Sequence, residues 1–134
     1  MEELTVKLRA VLKKRENLLF AYLFGSQTTG NTGKLSDVDV AVYLDPDLGE
    51  ERALGLSLDI QEQLKKDLQT EKVDVVLLNQ APPLLAHRIL RQGKIIFSSD
   101  EKARVIFENQ QIMRYLDFKP LIQKHAQDVL KKHG

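Results

Sequence analysis

At 134 residues the chain has the size of one domain, long enough to bury a single core. Its 20 Lys and Arg stand against 19 Asp and Glu, so no global charge draws it to nucleic acid or an acidic membrane, and any anion site must be local. Cysteine is absent, which excludes disulfides and thiolate metal sites, no apolar run reaches a membrane span, and the charged opening is unlike a signal peptide, so a cytoplasmic location is expected.

Residues 2–16 place Leu4, Leu8, Val11 and Leu12 on one stripe, the pattern of a helix laid on a core. Leu18 to Phe24 follows as seven large apolar residues without polar alternation, as expected of a central strand buried on both faces. A Gly25-Ser26 turn and a polar loop containing Gly30, Gly33 and Lys34 lead to a second strand, Asp37 to Leu44. Its alternation sets Asp37, Asp39, Ala41 and Tyr43 on one face and Val38, Val40, Val42 and Leu44 on the other. Two carboxylates about 6 Å apart repel by roughly 3 kcal/mol at an effective dielectric of 20, a large share of the about 5 to 15 kcal/mol that holds a domain together. Such a pair calls for a cation, and oxygen donors without Cys or His favour Mg²⁺ or Mn²⁺. The plainer alternative is that Asp37 opens the strand at the surface and Asp39 faces water. Gly25-Ser26 weighs against it, because a glycine after a buried strand allows close backbone approach and successive amides at a turn bind phosphate.

Asp45-Pro46-Asp47 reads as a turn that ends the strand. Ala53, Leu56, Ile60, Leu64 and Leu68 mark a long amphipathic helix over 50–69 that covers one face of the sheet, despite Gly55. Lys72 to Asn79 is a third apolar strand, with Asp74, Val76 and Leu78 on one face. Pro82-Pro83 opens a helix that ends at Gly93; on it His87 reads as a packed or surface residue, and Arg88 and Arg91 as a solvated face, with contact to a triphosphate or a partner as the alternative. Lys94 to Phe97 is a short fourth strand. Ser98 and Glu101 suggest a capping box opening a C-terminal helical segment over about 100–133, which Pro120 is expected to kink or break. The whole, 1–134, is expected to be one domain.

Gly25-Ser26, Gly30 and Ser36-Asp37-Val38-Asp39-Val40 together resemble the G-S-x-A-R-G-x(n)-S-D-x-D-L signature of the nucleotidyltransferase superfamily related to DNA polymerase beta, and within it the minimal nucleotidyltransferases. The stretch PPLLAHRILRQGKIIFSSD is similar to the corresponding family segment, so the likeness covers about residues 18–100. Thr28 and Thr29 depart from it, standing where the pattern has Ala and Arg. The resemblance implies an α+β fold with a small mixed sheet of four or five strands and helices mainly on one face. It implies that Gly25, Ser26, Gly30 and Ser36 hold a nucleoside triphosphate, ATP, and that Asp37, Asp39 and Asp74 bind two Mg²⁺ or Mn²⁺ ions and do the catalysis.

The role it implies is an antitoxin that transfers AMP to a hydroxyl, a tyrosine, of a HEPN-type ribonuclease toxin, since the chain leaves no residues for an acceptor domain. Direct nucleic-acid binding is not expected. The alternatives are an antitoxin of weak or absent catalysis that neutralises its partner by contact, and a small-molecule nucleotidyltransferase.

Overall fold

The structure, a computed structural model, describes residues 2–25 and 37–133. The loop residues Ser26, Thr28, Thr29, Gly30, Lys34 and Ser36, expected at the phosphate site or beside it, lie outside the described residues. Four strands, β1 (Leu18–Phe24), β2 (Val38–Leu44), β3 (Val73–Leu77) and β4 (Lys94–Ser98), alternate with helices α1 (Glu2–Leu12), α2 (Glu50–Leu68), α3 (Pro83–Gln92) and α4 (Glu101–His133). The sheet order is β3-β2-β1-β4, with β1 antiparallel to both neighbours and β2 parallel to β3. The sheet is therefore mixed, and β1, apolar throughout, takes the central position its composition demands.

Strands β1, β2 and β3 divide their side chains between two cores. Leu18, Ala21 and Leu23 join Val38, Val40, Val42 and Leu44 under α1 and α2, where Leu8, Leu12, Ile60 and Leu64 are buried. Phe20, Tyr22 and Phe24 join Ala41, Tyr43 and Leu78 under α3 and the first half of α4, with Ala86, Ile89 and Phe107. The helices, expected mainly on one face, thus divide between the two. An apolar central strand must be covered on both sides, or half its side chains would stay in water.

Side chains finish the sheet where backbone partners run out. Asn79 exchanges two hydrogen bonds with Leu44, its Oδ1 accepting from the amide at 2.9 Å and its Nδ2 donating to the carbonyl at 2.7 Å. On the outer edges, Gln61 of α2 accepts from the Val75 amide at 2.9 Å, and Arg9 of α1 donates to the Ile96 carbonyl at 2.7 Å. Both edges of the sheet are thereby covered in part by polar side chains.

Asp45 accepts from the Asp47 amide at 3.0 Å, so these two acids serve the turn after β2. At α4 the cap is two residues on from the expected Ser98: Asp100 Oδ1 accepts from the Ala103 amide at 3.0 Å, while Ser98 donates to Glu101 at 2.5 Å. Pro120 neither ends nor divides α4, which runs on to His133. Proline removes one backbone donor and crowds the carbonyl four residues back, but the ladder on either side of it carries the helix through. Among the described residues, no helix is long and apolar enough to cross a membrane.

Candidate active site

The antiparallel and parallel pairings bring the C-terminal end of β1 together with the N-terminal ends of β2, β3 and β4. At that end Asp39 is paired with Asp74 across the parallel β2–β3 ladder, and with Phe24 across β1–β2. Asp39 and Asp74 are neighbours on one face because both strands are parallel and in register, so their alternation is in phase. Asp37 precedes the first residue of β2 and is exposed; Asp39 is half-buried and Asp74 exposed.

The three acids act on one another. Burial first, then the charges of Asp74 and Asp37, raise the Asp39 carboxyl above the ordinary Asp value, while Arg88 of α3 pulls it back. As they stand, no three carboxylate or imidazole groups among the described residues are gathered closely enough to hold a metal ion. Gathering such groups costs mutual repulsion, which a bound cation offsets. The donor set still fits a hard divalent ion: carboxylate oxygens from two adjacent strands, in a chain without cysteine.

Gly25 closes β1 at φ +82°, in the left-handed region. A Cβ placed there would stand 2.3 Å from Asp39 Oδ2. The glycine therefore does two things at once: it turns the chain out of the sheet and leaves space for a catalytic candidate's carboxylate. Gly93 works differently. Its φ of −78° is open to any residue, but a Cβ there would lie 2.4 Å from the Ile89 carbonyl oxygen. That close junction allows α3 to pass straight into β4, where Lys94 pairs with Leu23 beside the Gly25 turn.

Arg88, expected on a solvated face, is exposed, yet it faces the carboxylate cluster closely enough to act on Asp39. The one-residue link from α3 to β4 was the available signal, since a strand beside β1 must deliver the helix end to the Gly25 end of the sheet. His87 stacks on Tyr115 of α4 with ring centroids 3.5 Å apart, a packing role. An unforeseen group is the buried Tyr22, whose hydroxyl donates to Glu108; Glu108 also pairs with Arg104 at 2.8 Å. Burial first, then the bond to Glu108, raises the Tyr22 hydroxyl far above its usual range.

Comparison with known proteins places the chain in a family. The family model described as polymerase beta, nucleotidyltransferase, matches residues 6–102. A protein adenylyltransferase, MntA, of Aphanizomenon flos-aquae (strain 2012/KM1/D3) is 31% identical over 126 residues, covering 85% of this chain and 81% of that protein. Among solved structures, a toxin-antitoxin with AMP-PNP matches with a TM-score of 0.77 at 25% identity, over 94% of this chain and 98% of that one. A complex of tri-AMPylated Shewanella oneidensis HEPN toxin with MNT antitoxin matches with a TM-score of 0.73 at 23% identity, over 96% and 98% of the two chains, a likeness of fold. The matched span holds both strands that carry the acids, and this chain belongs to the polymerase beta nucleotidyltransferase family.

Proposed function

We propose that the chain transfers AMP from ATP to a hydroxyl, a tyrosine, of a HEPN ribonuclease toxin and thereby acts as its antitoxin. The observation that carries this reading is the in-register pair Asp39 and Asp74, with Asp37 beside it, at the Gly25 end of the sheet. The 31% identity to a protein adenylyltransferase supports the choice of a protein acceptor.

In this reading Asp37, Asp39 and Asp74 hold two divalent ions, Mg²⁺ or Mn²⁺. When bound, such ions supply electrostatic stabilisation of the attacking and leaving oxygens. The chain's own residues do the rest. Gly25, Ser26, Gly30 and Ser36 hold the triphosphate, which fixes the α-phosphate against the acids. Asp74, exposed at the start of β3, accepts the proton of the acceptor hydroxyl. The acceptor oxygen forms its bond to the α-phosphorus as the bond to the bridging oxygen of the β-phosphate breaks, and pyrophosphate leaves. The partner is placed against α4, where Leu116, Leu121 and Leu130 are 53%, 63% and 71% exposed.

A negatively charged nucleotide on the toxin would repel RNA phosphate from the surface that must bind it. The rival is an antitoxin acting by contact alone. Labelled ATP separates the two. With Mg²⁺ and the HEPN protein, label at the α-phosphate should become covalently attached to the partner and label at the γ-phosphate should not. Neutralisation without transfer of α-label would establish the rival.

A further inference from the structure

We propose that Arg88 is a substrate-binding residue that contacts the β- and γ-phosphates of the nucleotide from α3. The inference rests on the nucleotide site described above and adds to it a cationic side chain from a helix outside the Gly-Ser loop and the three acids.

Helix α3 lies on the same face of the sheet as Asp39 and Asp74, its Ala86 and Ile89 buried in the core that contains Phe24 and Ala41. It passes through Gly93 into β4, whose Lys94 pairs with Leu23. The C-terminal half of α3 is thereby fixed beside the Gly25 turn, at the end of the sheet where the acids stand. On a helix with 100° per residue, the flank bearing Arg88 lies on the opposite side of the buried Ala86–Ile89 line from His87 and Leu90. Those two residues, with Arg91, line a cavity against Gln111 and Ile112 of α4. Arg91 is thus turned toward α4, and Arg88 toward the carboxylates.

Electrostatics agrees with that placement. Arg88 is the cation that acts on Asp39 against the joint effect of Asp74 and Asp37. Yet among the described residues Arg88 forms no ion pair with any of the three acids, whereas Arg15 and Arg104 are paired with carboxylates at 2.8 Å or less. A guanidinium near a carboxylate cluster but not clamped to it is available for an anion bound between them. A triphosphate is that anion: it carries its own charge to the cluster together with the divalent ions, and a planar guanidinium fits its non-bridging oxygens with two parallel hydrogen bonds.

The plainer role for Arg88 is a counter-ion that lessens repulsion among the acids. The two roles differ in sign. Removing a counter-ion leaves more negative potential at the acids and tightens divalent-ion binding, with no direct loss of nucleotide affinity. Removing a phosphate contact weakens ATP specifically, and leaves AMP, which lacks the β- and γ-phosphates, nearly as it was.

The experiment is calorimetric titration of wild type, Arg88→Gln, Arg88→Lys and Arg91→Gln with ATP, AMP and Mn²⁺. Arg88→Gln should bind ATP with Mg²⁺ on the order of ten- to a hundredfold more weakly than wild type, the scale of a charge-assisted contact. AMP affinity should change by less than about threefold, Arg88→Lys should recover part of the loss, and Arg91→Gln should match wild type. ATP affinity unchanged in Arg88→Gln, with Mn²⁺ bound more tightly, overturns the inference and leaves the nucleotide site standing. A wild-type protein that binds no ATP overturns both.

Discussion

Gly25 and Asp39 stand so close that a single methyl group on the glycine would come within 2.3 Å of the aspartate's Oδ2. The contact joins the end of β1 to the start of β2 and makes the turn residue part of the carboxylate's environment. It also explains why a glycine is needed at this point for two separate reasons, backbone conformation and space.

Gly25→Ala should therefore damage activity and fold together. An Ala at φ +82° carries strain on the order of 1 to 3 kcal/mol. The displaced Asp39 carboxylate should lower transfer roughly a hundredfold. Urea denaturation and a transfer assay on the same preparation check both, and a variant with wild-type activity would show that the contact is dispensable.

Asp39→Asn should separate stability from activity. Burial and the neighbouring acids raise the Asp39 carboxyl, so the folded chain without metal holds that proton more firmly than the unfolded chain does. The associated stability is complete below the unfolded Asp value, about 4, and is lost as pH rises through the folded one. Asn removes the charge at every pH. The metal-free variant should thus melt higher than wild type at pH 7 and lose most of that advantage near pH 4, while transfer falls roughly a hundred- to a thousandfold. Melting curves in EDTA across that range test the sign.

Tyr22→Phe removes the donor that ties β1 to Glu108 of α4. Tyr22 is only 3% exposed, and losing a hydrogen bond to a charged partner costs about 1.5 to 3 kcal/mol. Nucleotide binding should be retained, because the bond lies two residues before the Phe24–Asp39 pair. Chemical denaturation measures the first effect and titration with ATP the second.

Much of the fold was legible because each strand announces its faces. The alternation in Asp37–Leu44 separates the acids from the valines, and the structure sorts them into the face with Asp39 and the core under α1 and α2 as that pattern requires. What alternation could not give was register. The crossover through α2 leaves the phase of β3 against β2 open, so the pairing of Asp39 with Asp74 had to be seen. Helices on both faces could have been deduced from β1, whose Phe20, Tyr22 and Phe24 need cover as much as Ala21 and Leu23 do. Arg88 was ambiguous for another reason: an arginine on a helix fits a solvated face as well as an anion contact until the chain's path shows what it faces.

Removing residues 120–134 should change partner binding more than stability. Among the described residues the last buried apolar side chain is Phe107 and the last buried residue Gln111, and the described side chains from Lys119 to Lys131 are exposed. The truncated chain should lose less than about 1 kcal/mol of stability and keep ATP affinity, while its affinity for the HEPN partner falls. Denaturation and a pull-down of the purified partner decide the matter, and undiminished partner affinity would move the interface away from the end of α4.

Covalent modification of the partner by this chain is tested most directly by the intact mass of the purified HEPN protein after incubation with the chain, ATP and Mg²⁺. The expected result is a gain in whole multiples of one AMP, on a tyrosine, absent with Asp39→Asn. A partner whose ribonuclease activity is silenced while its mass stays unchanged would contradict it.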